Sequence, residues 1–558
     1  MKFRNLSTTL GVASVLSFST EHTHAGNIWD GGGDDNIWGT GNNWSPDGSP
    51  SPGSGNDLFF AGNTRLTSNN NYGAFDDWRN LIFNPGAGAF TLTGNSIDLF
   101  GKIENLSTNT QTVNFTSIAL NSASANQFNP GNANLAIGGN VITNGNQLNV
   151  FGDNGFNLTF GTSSIISGLG SVAINQNSNV VYQSAHTYTG DTFVNAGSLQ
   201  FAQGGSANSS TIRIGNNTID NSPAATVSIT DADGGTTVAS TINVRASLSG
   251  TVGSRTISGT NTSGINTFSG GVFLDQVATI TSTNAGGTLA FTGGALELKT
   301  FGLLVNGAGN TTILNLITST GTGNQLTKSG AGTLTLFAAN TYTGGTTVSV
   351  GTLLASNATG SATGTGTVAV SSGAILGGRG TISGGTTLTA AILAPGSAAA
   401  TVGTLTFGAG LALNSTSIFE WDMQQVNASD PGAAPAAGGT NAGAYDRVVL
   451  NGAANSLTGS GAIFKIVLGS GRSFADAFWD TNKTWNNVFT GNGVATNLAT
   501  IFSTFNADGL NLSGGLVAGQ GTFTLNGPST LNWTAVPEPS SALAGLLLAT
   551  GLLRRRRA

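Results

Sequence analysis

Residues Leu326–Leu353 read LTKSGAGTLTLFAANTYTGGTTVSVGTL and carry the strongest evidence for the fold. Within Gly332–Phe337 and Thr346–Val350, threonine or serine alternates with leucine or valine. A period of two residues is typical of a strand that is buried on one face. The Asn-Thr-Tyr-Thr-Gly-Gly segment between them supplies the turn-forming residues of a sharp corner. The stretch therefore predicts a strand, a corner and a second strand.

The corner recurs along the chain. Ala185–Thr192 reads AHTYTGDT and returns as ANTYTGGT at Ala339–Thr346. A degenerate third copy, NTFSGG, begins at Asn266, which places His186, Asn266 and Asn340 at equivalent positions and at nearly even spacing. Repetition of this kind is typical of a solenoid, in which coils stack on one another and leave unpaired strand edges only at the ends. The sequence therefore predicts an all-β protein built as a right-handed parallel β-helix.

The segment Leu326–Leu353 resembles the autotransporter-associated β-strand repeat, whose pattern runs L-T-K-x-G-x-G-T-L-x-L, then N-T-Y-T-G-G-T, then G-T-L. Residues 179–202 keep the second half of that pattern, and the copy near Asn266 keeps less. The Trp-rich start, from Trp29 to Phe60, is also similar to the first segment of such proteins. The resemblance implies a passenger-type β-helix with adhesive or scaffold roles, and it brings no catalytic residues.

Composition agrees with a β-rich chain. The 558 residues include 84 Gly and only 8% charged residues, which is unusual for a compact α/β enzyme. Disorder is the competing interpretation, but 38% apolar residues and 29 Phe exceed what solvated low-complexity chains carry. The absence of cysteine excludes disulfides and thiolate metal sites, and no cofactor is predicted.

The charge pattern argues against nucleic acid as a partner. The net charge is −6, and Lys2, Arg4 and Arg554–Arg557 account for six of the 19 basic residues. No basic stripe remains in the body of the chain to neutralise phosphates.

The N-terminus has the order of a secretory signal peptide. Lys2 and Arg4 precede a mildly apolar stretch, Leu6–Phe18, which small and polar residues follow as far as Ala25. This order predicts a signal peptide over residues 1–25 with cleavage at Ala25. A frayed cytosolic N-terminus is the alternative.

The C-terminus has the features of a second targeting signal. A proline-flanked acidic motif precedes the uncharged stretch Ala542–Leu553, and a run of arginines ends the chain; the residues concerned are Val536, Pro537, Glu538, Pro539, Arg554, Arg555, Arg556 and Arg557. The apolar run is shorter than the roughly 20 residues that span a bilayer as a helix, and the arginines would hold the cytoplasmic side. A plain, uncut tail anchor is the alternative.

This tail resembles the PEP-CTERM sorting signal. The resemblance implies recognition of the Pro-Glu-Pro motif by an exosortase-type processing enzyme, transient membrane insertion of the tail and its removal. It also implies delivery to the cell surface or extracellular matrix of a Gram-negative bacterium, from a precursor anchored in the inner membrane.

Five segments are predicted. They are a signal peptide (1–25), a Trp-rich N-terminal β region that caps the array (26–130), a β-solenoid with the repeats (131–400), a C-terminal β-rich module (401–535), and the sorting signal with a short hydrophobic helix (536–558).

Few residues are candidates for chemistry. His186 is the only histidine outside the leader, and because asparagine replaces it in the other copies we expect a structural role. Asp231 and Asp233 are expected to lie in a turn rather than in half a Ca²⁺ loop. Glu420 and Asp422 are expected on one face of a strand, roughly 7 Å apart, and Asp446 at a solvated strand edge. The tryptophans are expected to close the end of the solenoid rather than to stack on sugars; these are Trp29, Trp38, Trp44 and Trp78.

The predicted function is that of an exported structural or adhesive protein, not an enzyme, that binds extracellular polysaccharide through many weak contacts. The alternative is a polysaccharide-active β-helix hydrolase or lyase, which requires carboxylates and a basic residue to converge on one face.

Overall fold

The computed structural model describes residues 26–536 apart from 125, 153–154, 209–210, 372, 397–400, 424–444, 454–456, 469–472, 476, 493–497, 508–509 and 513–514. Within this part, regular structure consists of short strands and three single-turn 3-10 helices, Gly41–Asn43, Ala477–Asp480 and Leu498–Thr500. No α-helix occurs there, and none of its helices is long and apolar enough to cross a membrane.

The first sheet runs along one side of the molecule. Its strands pair in parallel, except that the first two are antiparallel to each other. The strands are Asn27–Trp29, Trp44–Ser45, Gly53–Phe60, Asp76–Phe83, Ile97–Leu99, Lys102–Asn105, Ser117–Leu120, Gln127–Asn129, Asn140–Ile142, Leu148–Phe151, Ile166–Ser167, Val172–Asn175, Thr192–Val194, Thr211–Ile214, Thr241–Val244, Val272–Leu274, Leu296–Glu297 and Ile317–Thr318.

The second sheet is parallel throughout. Its strands are Thr67–Asn70, Thr91–Gly94, Gln111–Phe115, Leu135–Ile137, Asn157–Phe160, Asn179–Tyr182, Gly197–Phe201, Ala225–Ile229, Arg255–Gly259, Ala278–Ser282, Leu303–Asn306, Leu326–Lys328, Thr346–Val348, Val368–Val370, Thr386–Leu388, Leu411–Leu413 and Leu457–Gly459.

The third sheet is parallel except for its last pair. Its strands are Thr237–Val238, Ile265–Phe268, Thr288–Phe291, Asn310–Ile313, Thr333–Leu336, Thr352–Ala355, Ile375–Gly378, Ile392–Pro395, Ile418–Met423, Ala462–Leu468, Phe502–Ala507 and Leu510–Leu512.

Three small sheets complete the structure. Two are parallel: Ala185–His186 with Ser206–Ala207, and Thr381–Ile382, Thr404–Phe407, Arg447–Leu450 and Phe489–Thr490 in order. The third is antiparallel and joins Lys483–Trp485, Thr530–Ala535, Gly521–Asn526 and Leu516–Val517.

The chain winds from sheet to sheet and returns one strand further along. Leu199 of the second sheet pairs with Val180 of the coil before it and with Val227 of the coil after it. The predicted parallel β-helix is therefore confirmed, while its right-handed winding stays a prediction. Because the second sheet gains one strand with every coil, and several of its strands lie between His186 and Asn266, consecutive copies of the corner are separated by more than one coil.

Alternation of apolar and polar residues builds the interior. In the second sheet Leu199, Val227 and Ile257 stack in register and are fully buried. Each inward side chain thus covers the next, and burial of this continuous apolar ladder stabilises the stack at roughly 25 cal/mol per Å² of apolar surface.

The parallel stacking extends beyond the segment predicted for it. Thr67–Asn70 already pairs with Thr91–Gly94 before residue 131, and Ala462–Leu468 pairs with Phe502–Ala507 after residue 400. The antiparallel sheet appears only from Lys483 onward. Coils whose inward residues are apolar continue to stack on one another whether or not they carry the repeat pattern.

Candidate functional site

Most residues predicted for sorting and cleavage lie outside the described residues. These are Ala25, Pro537, Glu538, Pro539 and Arg554–Arg557. Val536 is described: its N–H donates to the Gln520 carbonyl at 2.7 Å, and its side chain is 48% exposed. The last strand therefore ends on the protein surface directly before the Pro-Glu-Pro motif.

His186 holds a coil corner. Its Nδ1 accepts a hydrogen bond from the Ile166 N–H at 3.0 Å, and the Asn340 Oδ1 accepts the equivalent bond from Ile317 at 2.8 Å. Burial lowers the pKa of His186 to about 3, so the ring is neutral. The interchange of histidine and asparagine reflects one shared hydrogen bond to the backbone, as expected for a structural residue.

The third copy of the corner differs from this expectation. Asn266 donates through Nδ2 to the Asp231 carbonyl at 2.9 Å, and its buried Oδ1 has no partner among the described residues. The equivalence of Asn266 with His186, predicted from the alignment, is therefore wrong at the level of hydrogen bonding.

A buried hydroxyl pair marks the two complete corners. Tyr188 and Thr192 share a hydrogen bond of 2.5 Å between their side-chain oxygens, and the Tyr342 hydroxyl lies 2.7 Å from the Thr346 Oγ1. In the third copy the corresponding residues are Phe268 and Val272, both buried. The degenerate copy has replaced both members of the pair by apolar residues of similar shape, which leaves no hydroxyl unpaired.

The four N-terminal tryptophans are core residues. Trp29, Trp38, Trp44 and Trp78 are fully buried, and Trp38 packs edge to face against Trp44 and Trp78 with centroids 6.1 and 5.8 Å away. No face of these rings is open to a sugar. They fill the first coils of the solenoid.

Three of the acidic candidates bind other groups of the fold, namely a hydroxyl, a lysine and backbone N–H groups. Asp231 accepts a hydrogen bond from the Thr236 hydroxyl at 2.8 Å within a turn, and Glu420 pairs with Lys465 at 2.5 Å. Asp446, expected at a solvated strand edge, is fully buried and accepts N–H bonds from Gly403 and Asp422. That expectation is wrong, because the coil that contains Asp446 is covered by another.

An open groove of about 590 Å³ lies on the outward side of the first sheet. Parallel register places Phe193, Arg213 and Asn243 in one row across neighbouring strands. Val244 pairs with Leu274, so the residues that directly follow them, Arg245 and Asp275, are also neighbours. The groove is lined by Asp191, Phe193, Arg213, Asn217, Asn243, Arg245, Ala246 and Asp275. Acidic, basic and aromatic side chains thus meet on one face.

Two ion pairs stand at opposite ends of the groove. The Arg213 Nε lies 2.7 Å from the Asp191 Oδ2, and Lys299 binds Asp275. The Asn243 Nδ2 also donates to Asp275 at 3.2 Å. Each carboxylate of the groove is therefore already bound by a cation.

Arg245 forms the floor of the groove beside the Arg213–Asp191 pair. It is 8% exposed, and its guanidinium donates to the Asn195 and Asn217 Oδ1 atoms at 2.9 and 3.1 Å and to the Gly215 carbonyl. Its charge centre lies 5.4 Å from the centroid of Phe193. Burial, followed by repulsion from Arg213 and Arg255, lowers its pKa to about 10, so it remains charged at neutral pH.

Gly215 allows this arrangement. It adopts a φ of +95°, and a Cβ there would lie 2.2 Å from the Nε of the buried Arg255. Arg255 in turn donates to the Arg245 carbonyl at 3.1 Å. Any side chain at Gly215 would displace the group that supports Arg245.

Amides continue the groove on its other side. A second depression of about 190 Å³ shares Phe193 and Arg245 with the first and is otherwise lined by Gln147, Asn149, Ala173, Asn175, Asn195, Asn216 and Thr218. The Asn195 Nδ2 donates to the Asn175 Oδ1 at 2.8 Å, a ladder between stacked coils. The two depressions together extend over five ladder steps, about 24 Å.

The family model of the passenger-associated transport repeat matches residues 183–201 and 326–355. The chain carries passenger-associated transport repeats. Both matches contain a complete Tyr-Thr corner, whereas the third copy, at Phe268 and Val272, lies outside them. No curated protein matches the chain, and no solved structure does.

Sequence reasoning missed the groove. Three arginines, Arg213, Arg245 and Arg255, are close together in the sequence of a chain that is poor in basic residues. This grouping is the feature of the sequence that could have indicated the groove. Among the described residues, no group of three or more His, Cys, Asp or Glu side chains is placed to hold a metal ion.

Proposed function

We propose that the chain is an exported surface or extracellular-matrix protein with a structural and adhesive role, in which the β-solenoid is a non-enzymatic scaffold that binds polysaccharide. The observation that carries the proposal is the groove on the first sheet, where Phe193 lies among arginine and asparagine side chains. The passenger-associated transport repeats support export and surface display.

The chemistry of the groove suits a sugar chain. An aromatic ring offers an apolar face for a sugar ring. Guanidinium groups donate to sugar hydroxyls, and amide groups both donate to them and accept from them. The open shape suits an extended polymer more than a small enclosed ligand. Repetition along the solenoid adds weak contacts, so avidity follows from the number of coils engaged.

The binding test compares two partly open phenylalanines. Phe193→Ala removes the aromatic surface of the groove, and Phe337→Ala removes a 46% exposed ring outside it. We expect the full chain to bind polysaccharide from its native matrix about tenfold more weakly with Phe193→Ala, and unchanged with Phe337→Ala, in a co-sedimentation assay. Equal binding by all three proteins would remove the groove from the proposal.

We further propose that Pro537, Glu538 and Pro539 direct processing by an exosortase-type enzyme, with Arg554–Arg557 holding the precursor on the cytoplasmic side of the inner membrane. Val536, the residue directly before the motif, is 48% exposed, which supports this proposal. The arginine run supports it by the positive-inside rule.

Intact mass and fractionation in the native host test the sorting proposal. The Pro537→Ala/Pro539→Ala double variant should accumulate as an uncut membrane-bound precursor, whereas Pro528→Ala, which changes a turn proline of the last hairpin, should be processed normally. An identical uncut product from all strains would reduce the tail to a permanent anchor.

A polysaccharide hydrolase or lyase is the second candidate, because Asp191, Arg213 and Asp275 share one face. Two observations oppose it. Both carboxylates are bound by cations, and their strands lie three ladder steps apart, about 14 Å, whereas the carboxyl groups of glycosidases are separated by about 5–9.5 Å. Release of reducing ends that disappears with Asp191→Asn would establish the enzyme instead.

A further inference from the structure

The Arg213 guanidinium lines the groove, and its two terminal nitrogens form a fork of hydrogen-bond donors. The side chain is 35% exposed, and its Nε is bound to Asp191. Its two terminal nitrogens have no hydrogen-bond partner in the part of the chain that the structure describes. A guanidinium with both terminal nitrogens available matches the two oxygens of a carboxylate.

Arg245 adds a charge that no carboxylate balances directly. Its hydrogen bonds among the described residues go to two amide oxygens and one carbonyl. Its Nε has no partner in the same set. Burial against Phe193 reduces the solvent screening of this charge, so its attraction for an incoming anion is stronger than at an open surface.

The two ends of the groove differ in charge. Asp275 is bound by Lys299, and Glu297 also lies close enough to act on that lysine, so this end carries a slight excess of negative charge. The other end holds Arg213 and Arg245 with Asp191 as the acidic partner. An anionic group is therefore attracted to the arginine end and repelled from the opposite end.

We propose that the groove binds a polysaccharide containing uronic acid units, with a sugar carboxylate on Arg213 beside Arg245, the sugar ring against Phe193 and neighbouring hydroxyls on Asn175 and Asn195. This inference rests on the proposed polysaccharide binding and names the chemical class of the ligand. Because the two ends differ in charge, a carboxylate of the bound polysaccharide should lie at the arginine end of the groove rather than at the Asp275 end.

The test uses the full chain and two forms of one polymer, polygalacturonate and its fully methyl-esterified derivative, which differ in charge but share a backbone. Biolayer interferometry should show about tenfold tighter binding of the charged form, with affinity falling as salt rises. Arg213→Gln should remove most of this preference, because the charged polymer loses a charge-assisted hydrogen bond whereas the ester loses at most a neutral one. Lys465→Gln, which alters a lysine of similar exposure paired with Glu420, is the matched control and should change neither affinity.

Arg213 is on the surface, so its variant should fold, and circular dichroism checks this. If Arg213→Gln fails to fold, Arg213→Lys provides the second variant, which keeps the charge but loses the fork and should retain only part of the preference. Equal binding of both polymers would overturn the uronate inference and leave the proposed adhesion standing. Binding of neither polymer also overturns the inference, and co-sedimentation with native matrix polysaccharide then shows whether adhesion itself survives.

Discussion

The first and second sheets share one apolar interior but present different outward faces. On the second sheet the outward row is small and uncharged, with Thr347, Ala369, Thr387, Ala412 and Thr458 in register. On the first sheet the same architecture carries an aromatic ring, two arginines and a row of amides. The inward residues are therefore constrained by stacking, whereas the outward residues are free to carry function.

Breaking the interior should have the largest effect. Phe201→Ala removes a fully buried ring that packs on Tyr182 at 5.7 Å, and we expect a loss of about 3–5 kcal/mol in the free energy of unfolding. Gln200→Ala, at the preceding residue on the outward face, should change this free energy by less than about 0.5 kcal/mol. Urea denaturation of both proteins measures the difference, and equal losses would contradict the division between the faces.

Acid should destabilise the first of the three corners through His186. Its pKa is about 3 in the folded protein and about 6.5 when unfolded, so below pH 6.5 the unfolded chain binds a proton that the folded chain does not. The resulting loss in the free energy of unfolding is absent above pH 6.5 and grows as pH falls toward 3, and it reaches about 2 kcal/mol at pH 5.

His186→Asn isolates this contribution, since Asn340 fills the equivalent position. Between pH 7.5 and 5, the wild type should lose about 2 kcal/mol more stability than the variant, measured by denaturation at each pH. Asp446, whose pKa burial raises to about 8, acts in the opposite direction but is present in both proteins. Parallel pH profiles would show that His186 is accessible to protons while folded.

The hydroxyl pair can be tested against its natural apolar replacement. Tyr342→Phe leaves the Thr346 hydroxyl buried without its partner and should cost about 1–2 kcal/mol. The double variant Tyr342→Phe/Thr346→Val reproduces Phe268 and Val272 and should recover most of that loss. A double-mutant cycle in urea gives the coupling; additive losses would mean that the two hydroxyls do not depend on each other.

The outward residues should have the smallest effect on stability. Thr387→Ala on the second sheet should shift the free energy of unfolding by less than about 0.5 kcal/mol. Phe193→Ala on the first sheet uncovers part of Arg245 and should cost no more than about 1 kcal/mol. Thermal unfolding checks both. A loss for Phe193→Ala as large as that expected for a buried ring would make Phe193 part of the packing rather than of a binding surface.

The fold class and the corners could be predicted from the amino-acid sequence. Alternation within Thr333–Leu336 and Thr346–Val348, with glycine and asparagine between the strands, is local information that specifies strand and turn without reference to the rest of the chain. The interchange of His186 and Asn340 likewise indicated a structural residue before the shared hydrogen bond was seen.

Which outward residues meet could not be predicted from the sequence, because it depends on how the coils stack. Asp191, Arg213, Arg245 and Asp275 lie on separate coils and come together because successive coils, though unequal in length, return to the same register. Coil length is set by loops whose size the strand pattern does not encode. For the same reason the burial of Asp446, and the extent of stacking before residue 131 and after residue 400, followed from how neighbouring coils cover one another.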